Sequence, residues 1–190
     1  MVNIGIVGAT GMVGRNFLKI MEERNFPVKN LYLYASAKSK GTTIDFKGKE
    51  YTVEELDENS FNKALDIVLF SAGGSISKKY ASMAKEKDII VIDNSSAWRM
   101  ENWVPLVVPE VNPEAIEDHQ GIISNPNCST IQSVIPLKPL KDKYGVKRVV
   151  FSTYQAVSGS GVGGLEDLEK GIKTSYHSKY PYPIAYNVLP

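Results

Sequence analysis

The sequence has 190 residues, of which 43% are hydrophobic, and a formal net charge of +1 from 22 basic and 21 acidic residues. This length accommodates one complete domain and part of a second. Because the charges are balanced and no basic block stands out, composition gives no support to a nucleic-acid or anionic-membrane partner, and no apolar run has the length of a transmembrane helix.

The chain begins with short strands that alternate with helices. Near-continuous apolar or β-branched runs, which are typical of strands covered on both faces of a sheet, occur at Asn3–Val7, Leu31–Ala35, Asp66–Ala72, Asp88–Ile92, Gly121–Ser124 and Arg148–Val157. Helical apolar stripes follow at Met12–Glu23 and Ser75–Lys87, and Thr42–Glu54 resembles a small inserted hairpin. This order predicts an α/β fold with a Rossmann-like, doubly wound, mostly parallel sheet.

The pattern changes at Cys128, so we place a domain boundary there. Residues 1–127 would form a nucleotide-binding domain, and residues 128–190 the incomplete start of an α+β domain. In this second part Pro136 and Pro139 should kink or split a helix, because each removes a backbone donor. The chain then stops at Pro190 without a helix stop signal or a polar tail, which we interpret as a cut.

The first glycine-rich segment predicts a dinucleotide site. Gly8-Ala9-Thr10-Gly11-Met12-Val13-Gly14 follows an apolar strand and opens an amphipathic helix. Glycines let the backbone turn sharply and approach a pyrophosphate, and the helix N-terminus offers free amides and a positive dipole end. The alternative is a tight turn from strand to helix that binds nothing.

The residues after the second strand favour NADP over NAD. NAD-binding sheets place a carboxylate at this point to hold the ribose 2′-hydroxyl, whereas Ala35–Gly41 contains no acid. Lys38, with Ser36 or Ser39, would instead stabilise a 2′-phosphate. The alternative is an ordinary solvated loop.

The only cysteine is a candidate nucleophile. Asn127 is a natural N-cap, which places Cys128 in the first turn of a helix, where free amides favour a thiolate. A thiolate beside a nicotinamide implies oxidation or reduction at the aldehyde level through a thioester. A buried structural cysteine is the alternative. A single cysteine also fits a reducing compartment, and with the N-terminal strand it predicts a cytoplasmic protein.

Along its whole length the sequence resembles aspartate-semialdehyde dehydrogenases. The matching segments, in family order, are Gly8–Gly14, Ala35–Gly41, Phe70–Ser75, Asp93–Met100, Val108–Asn112, Asn125–Thr130, Tyr154–Gly161 and Pro183–Pro190. The resemblance implies NADPH-dependent reduction of aspartyl phosphate to aspartate semialdehyde, a step toward lysine (through diaminopimelate), methionine and threonine. It also implies a homodimer or homotetramer with small-molecule substrates, and no metal.

The resemblance assigns roles to individual residues. Cys128 would form the thioester, Gln155 would orient the substrate, Arg99 with Asn94 would bind phosphate, and Ser158-Gly159 would lie against the nicotinamide. The other residues that match the family's cofactor site are Gly8, Thr10, Gly11, Met12, Val13, Ser36, Lys38, Ser39, Ser71, Ala72 and Gly73.

The sequence departs from the family in two ways. Lys38 stands where the family usually has arginine, and the family's general-base histidine and substrate-carboxylate arginine lie beyond a segment like Pro183–Pro190. His119 and His177 do not match the catalytic motif. We therefore expect residues 1–190 alone to bind NADP weakly or not at all and to have negligible turnover. Alternatives are N-acetyl-γ-glutamyl-phosphate reductase, whose nucleophile motif differs, an inactive nucleotide-binding remnant, and an interaction protein.

Overall fold

The computed structural model describes residues 1–189 and divides after Arg148 into two compact units. The first unit contains seven strands: β1 Val2–Val7, β2 Val28–Ala35, β3 Thr43–Phe46, β4 Lys49–Glu55, β5 Ile67–Phe70, β6 Ile90–Asp93 and β7 Ile122–Ser124. Its α-helices are α1 Met12–Glu23, α2 Gly74–Lys85 and α3 Cys128–Tyr144. The second unit has one α-helix, α4 Val162–Thr174, among the residues described.

All seven strands form one sheet in the order β3-β4-β2-β1-β5-β6-β7. Every neighbouring pair is parallel except β3 and β4, which form the predicted antiparallel hairpin. After β1 the chain adds β2 on one side and later β5 on the other, so the carboxyl ends of these strands meet at a topological switch point. The predicted fold class, helix α1 and the hairpin are confirmed.

Both faces of the sheet are covered by apolar residues. Neighbouring residues of β1 belong to different core clusters, since Ile6 packs with Leu18 of α1 and Val7 with Ala81 of α2. Because successive side chains of a strand point to opposite faces, α1 and α2 cover opposite faces. This explains why the strands are almost continuously apolar.

Two expectations for the region after residue 127 are not met. Pro136 and Pro139 do not split α3, which is continuous from Cys128 to Tyr144, because each proline removes only one backbone donor and the other bonds of the helix remain available. Arg148–Val157 forms no strand. Its residues have strand propensity, but a strand needs a partner for its backbone groups, and residues 149–189 contain no second strand.

The second unit is organised around a buried carboxylate. Asp167 of α4 accepts hydrogen bonds from the backbone N–H groups of Ser178, Lys179 and Tyr180 at 2.7–3.0 Å. Burial opposes ionisation, but the N–H groups of Ser178, Tyr180 and Lys179, with His177 nearby, outweigh it and hold the pKa of Asp167 below its usual range. This carboxylate therefore ties segment 178–180 to α4.

The predicted domain boundary and the observed division fall at different positions. The structure keeps α3 with the first unit, whereas the sequence placed the boundary between residues 127 and 128; that boundary stays a prediction. Among residues 1–189 no helix combines the length and apolar character needed to cross a bilayer.

Candidate functional site

A cleft of about 340 Å³ opens at the carboxyl ends of β1, β2 and β5. Its lining includes six residues of the predicted cofactor site, namely Gly8, Thr10, Gly11, Ser36, Ser71 and Ala72. The remaining lining residues are Val7, Ala35, Ala37, Glu55, Leu56, Ile76 and Tyr80. Ligands of open α/β sheets bind in a crevice at this position, outside the carboxyl ends of the strands at a switch point.

The glycines of the first turn are needed for its geometry. Gly8 has a φ of +88°, and a Cβ there would lie 2.4 Å from the carbonyl oxygen of Ser71. A Cβ at Gly14 would lie 2.3 Å from the carbonyl oxygen of Gly8. The two glycines therefore let β1 approach β5 and let α1 approach the turn.

The start of α1 fits a phosphate group. Gly11 is its N-cap, and no side chain accepts a hydrogen bond from the first N–H groups of the helix. Those groups, which include the N–H of Met12 and Val13, have no intrahelical acceptor and carry the positive end of the helix dipole. The turn and helix start thus have the backbone shape and charge that a dinucleotide pyrophosphate requires.

Ser36, Lys38 and Ser39, which are predicted to contact the 2′-phosphate of the cofactor ribose, lie at a short 3₁₀ turn that follows β2. The turn is Ala37–Ser39, and Ser36 is its N-cap. Ser36 and Ala37 line the cleft, Lys38 is exposed on the same turn, and the Thr10 and Ser39 hydroxyl oxygens are 3.4 Å apart. The predicted set therefore shares one end of the cleft, although Lys38 and Ser39 are not among its lining residues. Gly73 is the N-cap of α2, with a φ of +89°.

Sequence reasoning missed Glu55 and Leu56 in this cleft. Glu55 ends β4, where it is the register partner of Ala35, the last residue of β2. The Leu56 N–H donates to the Ala35 carbonyl oxygen at 2.8 Å. The sequence predicted the hairpin but not which strand its second arm joins, so nothing pointed to an acid beside the end of β2.

A second polar cluster forms where β6 and β7 end. The Arg99 Nε donates to the carbonyl oxygen of Asn125 at 3.0 Å, and its Nη2 donates to the carbonyl oxygen of Asn94 at 3.1 Å. The Asn125 side-chain amide donates to Asn94 Oδ1 at 2.6 Å. The two predicted phosphate-binding residues, Arg99 and Asn94, are therefore brought together, and Asn125 joins them.

The segment that carries Asn94 and Arg99 is fixed at both ends. Buried Asp93 accepts a hydrogen bond from the Ser95 hydroxyl at 2.6 Å, and the Ser95 oxygen in turn accepts the N–H of Ala97 at 3.1 Å. At the other end the Trp98 indole donates to the buried Ser77 hydroxyl of α2 at 2.8 Å. Both anchors restrict the turn from which the guanidinium extends.

Cys128 is exposed at the first position of α3. The Asn127 side chain accepts the N–H groups of Ser129 at 3.0 Å and of Thr130 at 3.4 Å, which confirms the predicted N-cap. Cys128 is exposed among the residues described, which does not support the alternative of a buried structural cysteine. Arg99 is bonded to Asn125, three residues before Cys128, so this bond links the polar cluster to the loop that leads to the thiol.

The two histidines occupy different units. His119 accepts the Gly121 N–H at 3.1 Å, at the residue just before β7, whereas Cys128 follows the far end of the strand region. His119 and Cys128 thus flank opposite ends of β7. His177 belongs to the second unit, as do Gln155 and the Ser158-Gly159 pair, which lies in a 3₁₀ turn, Val157–Ser160. Gln155 lines a groove within that unit.

Two family models match the chain. Residues 3–119 match the semialdehyde dehydrogenase NAD-binding domain, and residues 137–190 match the semialdehyde dehydrogenase dimerisation domain. The chain belongs to the semialdehyde dehydrogenase family. The resemblance drawn from the sequence motifs is confirmed, and the parallel sheet with its cleft is the family's nucleotide-binding domain.

Two similar curated proteins are both named aspartate-semialdehyde dehydrogenase. The chain is 59% identical over 197 residues to the aspartate-semialdehyde dehydrogenase of Aquifex aeolicus, a match that covers 98% of this chain and 58% of the relative. It is 51% identical to the enzyme of the same name from Campylobacter jejuni, with the same coverage. The chain therefore spans 58% of the length of these relatives.

Solved structures of aspartate semialdehyde dehydrogenases also match the fold of this chain. Aspartate semialdehyde dehydrogenase II of Vibrio cholerae, complexed with ASA, matches with a TM-score of 0.90 and 42% identity over 98% of this chain and 58% of that one. The Candida albicans aspartate semialdehyde dehydrogenase with NADP matches with a TM-score of 0.66 and 29% identity, over 77% of this chain and 48% of that one.

Proposed function

We propose that this protein reduces L-aspartyl 4-phosphate to L-aspartate 4-semialdehyde with NADPH, and runs the reverse phosphorylating oxidation, through a thioester on Cys128. It would act in the cytoplasm as a homodimer or homotetramer, in the biosynthesis of lysine through diaminopimelate, methionine and threonine. The relatives that share 59% and 51% identity bear the name of this activity.

The observation that carries the proposal is the hydrogen bond between Arg99 and the loop that leads to Cys128. Cys128 is exposed at a capped helix start, and the Arg99 Nε donates to the carbonyl oxygen of Asn125, three residues earlier in the chain. A guanidinium fork suits phosphate better than any other side chain. A nucleophile beside a phosphate site is what an acyl phosphate requires, because its carbonyl must be attacked while its phosphate is held.

Each residue then has a defined task. The Cys128 thiolate attacks the acyl carbonyl, the carbon–sulfur bond forms, and the bond to the phosphate oxygen breaks. Arg99, with Asn94, holds the departing phosphate and stabilises its charge. When bound, NADPH would supply the hydride that reduces the thioester to the aldehyde, and the Cys128 sulfur would leave as thiolate. By the family resemblance, Gln155 would orient the substrate, and Ser158 and Gly159 would contact the nicotinamide.

Features at both ends of the cleft support NADP as the cofactor. The glycine turn and uncapped start of α1 suit a pyrophosphate, while Ser36, Lys38 and Ser39 offer hydroxyl and ammonium groups to a 2′-phosphate. The Candida albicans structure, whose fold this chain shares, is described as a complex with NADP.

Residues 1–190 alone should bind NADP weakly or not at all and have negligible turnover. The reaction needs a general base near the thiol, and His119 lies at the other end of β7 from Cys128. Robust phosphate-dependent dehydrogenase activity from residues 1–190 would contradict this part of the proposal.

The test is an assay on the protein as the source cell makes it, with its intact mass measured in parallel. We expect aspartate semialdehyde to reduce NADP⁺ only when phosphate is present, and Cys128→Ser to abolish the rate. A matched control is Ser129→Ala, which alters the neighbouring side chain and leaves the thiol in place. Reduction that does not depend on phosphate, or that survives Cys128→Ser, would overturn the proposal.

A further inference from the structure

An acid stands beside the end of β2, on the neighbouring strand. Glu55, the last residue of β4, is the register partner of Ala35, the last residue of β2, and both line the cleft. Register partners of parallel strands lie side by side with their side chains on the same face. Glu55 thus occupies, one strand away, the region in which NAD-binding sheets keep the carboxylate that holds the ribose 2′-hydroxyl.

The carboxylate of Glu55 is paired with a lysine from the same end of the cleft. Lys40 Nζ lies 3.3 Å from Glu55 Oε2, and both side chains are partly exposed. Lys40 directly follows the turn Ala37–Ser39, which carries Lys38. The ribose end therefore combines an acid suited to a 2′-hydroxyl with two cations suited to a 2′-phosphate.

We propose that the Glu55–Lys40 pair is a specificity determinant for the ribose 2′ substituent. Glu55 disfavours a 2′-phosphate and accepts a hydrogen bond from a 2′-hydroxyl, while Lys40 offsets the negative charge of Glu55. The balance between the two residues, rather than Lys38 alone, sets how strongly the cleft prefers NADP to NAD. This inference rests on the proposed binding of a nicotinamide dinucleotide in the cleft.

Each substitution has an expected sign and size. Neutralising Glu55 removes a repulsion with a phosphate that carries nearly two negative charges, and it frees Lys40. Across solvent-exposed distances of several ångströms such a repulsion changes affinity by about two- to fivefold at low salt, and less as salt screens it. Neutralising Lys40 has the opposite sign. The 2′-hydroxyl of NAD is uncharged, so its affinity should not gain in either case.

Glu54 provides a matched control. It precedes Glu55 on β4 and also forms an ion pair, in its case with Lys63 at 2.5 Å, but it does not line the cleft. Glu54→Gln therefore makes the same change of net charge on the face of β4 that is turned away from Glu55. An effect that depends only on net charge would be equal in the two variants.

The experiment titrates the protein as the source cell makes it, and its variants, with NADP⁺, NAD⁺ and 2′,5′-ADP, and measures each affinity by isothermal titration calorimetry at two salt concentrations. Glu55→Gln should raise the ratio of NADP⁺ to NAD⁺ affinity about two- to fivefold, Lys40→Gln should lower it, and the double variant should lie near the original chain. Glu54→Gln should leave the ratio unchanged, and the effects should shrink at high salt.

The possible outcomes distinguish the specificity inference from the proposed binding of a dinucleotide in the cleft. If the unaltered chain binds the nucleotides but Glu55→Gln changes the affinity ratio no more than Glu54→Gln does, the specificity inference is wrong and the cleft remains a dinucleotide site. If none of the three nucleotides binds the native protein at millimolar concentration, the cleft does not bind a dinucleotide and both claims fail.

Discussion

Arg99 donates its Nε–H to the carbonyl oxygen of Asn125 at 3.0 Å. This bond joins the segment after β6 to the loop that leads from β7 into α3, and so it ties the guanidinium to the residues just before Cys128. A second bond, from Nη2 to the Asn94 carbonyl oxygen at 3.1 Å, fixes the plane of the group. The guanidinium, which we propose binds phosphate, is therefore oriented before any substrate arrives.

Arg99→Lys should weaken phosphate binding. Lysine keeps the charge but has no fork, so it cannot donate to both carbonyl oxygens and still present donors to a phosphate. Since a hydrogen bond to a charged group contributes about 1.5–3 kcal/mol, the apparent KM for phosphate should rise about tenfold to a hundredfold. The measurement is the phosphate dependence of NADP⁺ reduction by the native protein. Arg24→Lys, at an exposed helix end, is the control, and an unchanged KM in Arg99→Lys would contradict the role.

Asn127→Ala should destabilise the start of α3. It removes the oxygen that accepts the N–H groups of Ser129 and Thr130, and loss of such a cap costs about 1 kcal/mol. Amide hydrogen exchange should show reduced protection at the start of α3, with the sheet unaffected. Asn127→Asp keeps an acceptor oxygen and should retain the protection; equal loss in both variants would show that the cap is not the cause.

Gly8→Ala should destabilise the nucleotide-binding unit by roughly 2 kcal/mol or more, because its φ of +88° strains any other residue and the new Cβ would meet the Ser71 carbonyl. Gly74→Ala is the control. It begins α2, and its Cβ would find its nearest contact at 3.9 Å, so it should be neutral or stabilise by about 0.5 kcal/mol. Urea denaturation checks both, and equal stabilities would refute the argument.

Asp167 should make the second unit sensitive to acid. Because its pKa is lowered in the folded chain, the ionised carboxylate contributes stability that is fully present above its unfolded pKa, near 4, and is lost as the pH falls through the lower folded value. Below about pH 4 the amide proton signals of Ser178, Lys179 and Tyr180 should therefore move together.

The control for that titration lies on the same helix. Asp167→Asn should remove the coordinated movement, whereas Glu169→Gln, at an exposed position of α4, should preserve it. Amide signals that stay fixed in the unaltered chain down to the pH at which it unfolds would show that the carboxylate does not hold the segment.

The sequence predicted those parts of the fold whose signals are local. The apolar run before Gly8, the glycine turn and the stripe of α1 lie next to one another along the chain, and each agrees with the others. The cap at Asn127 also depends only on its neighbours. These elements, together with the candidate residues Cys128 and Arg99, could be identified before any contact between distant residues was known.

What could not be predicted depends on pairing between distant segments. Arg148–Val157 has strand propensity, but no second strand of its unit is available to satisfy its backbone. Glu55 lines the cleft because β4 pairs with β2 in a register that no local pattern encodes. The placement of His119 and Cys128 at opposite ends of β7 likewise became visible only with the bounds of that strand and the hydrogen bond of His119 to Gly121.

The central claim is that Cys128 carries the acyl group during turnover. The direct measurement is peptide mass spectrometry of the native protein after incubation with L-aspartyl 4-phosphate in the absence of NADPH. We expect an aspartyl group on the peptide that contains Cys128, lost when NADPH is added and absent in Cys128→Ser. An unmodified Cys128 in protein that turns over the substrate, or an acyl group on another residue, would contradict it.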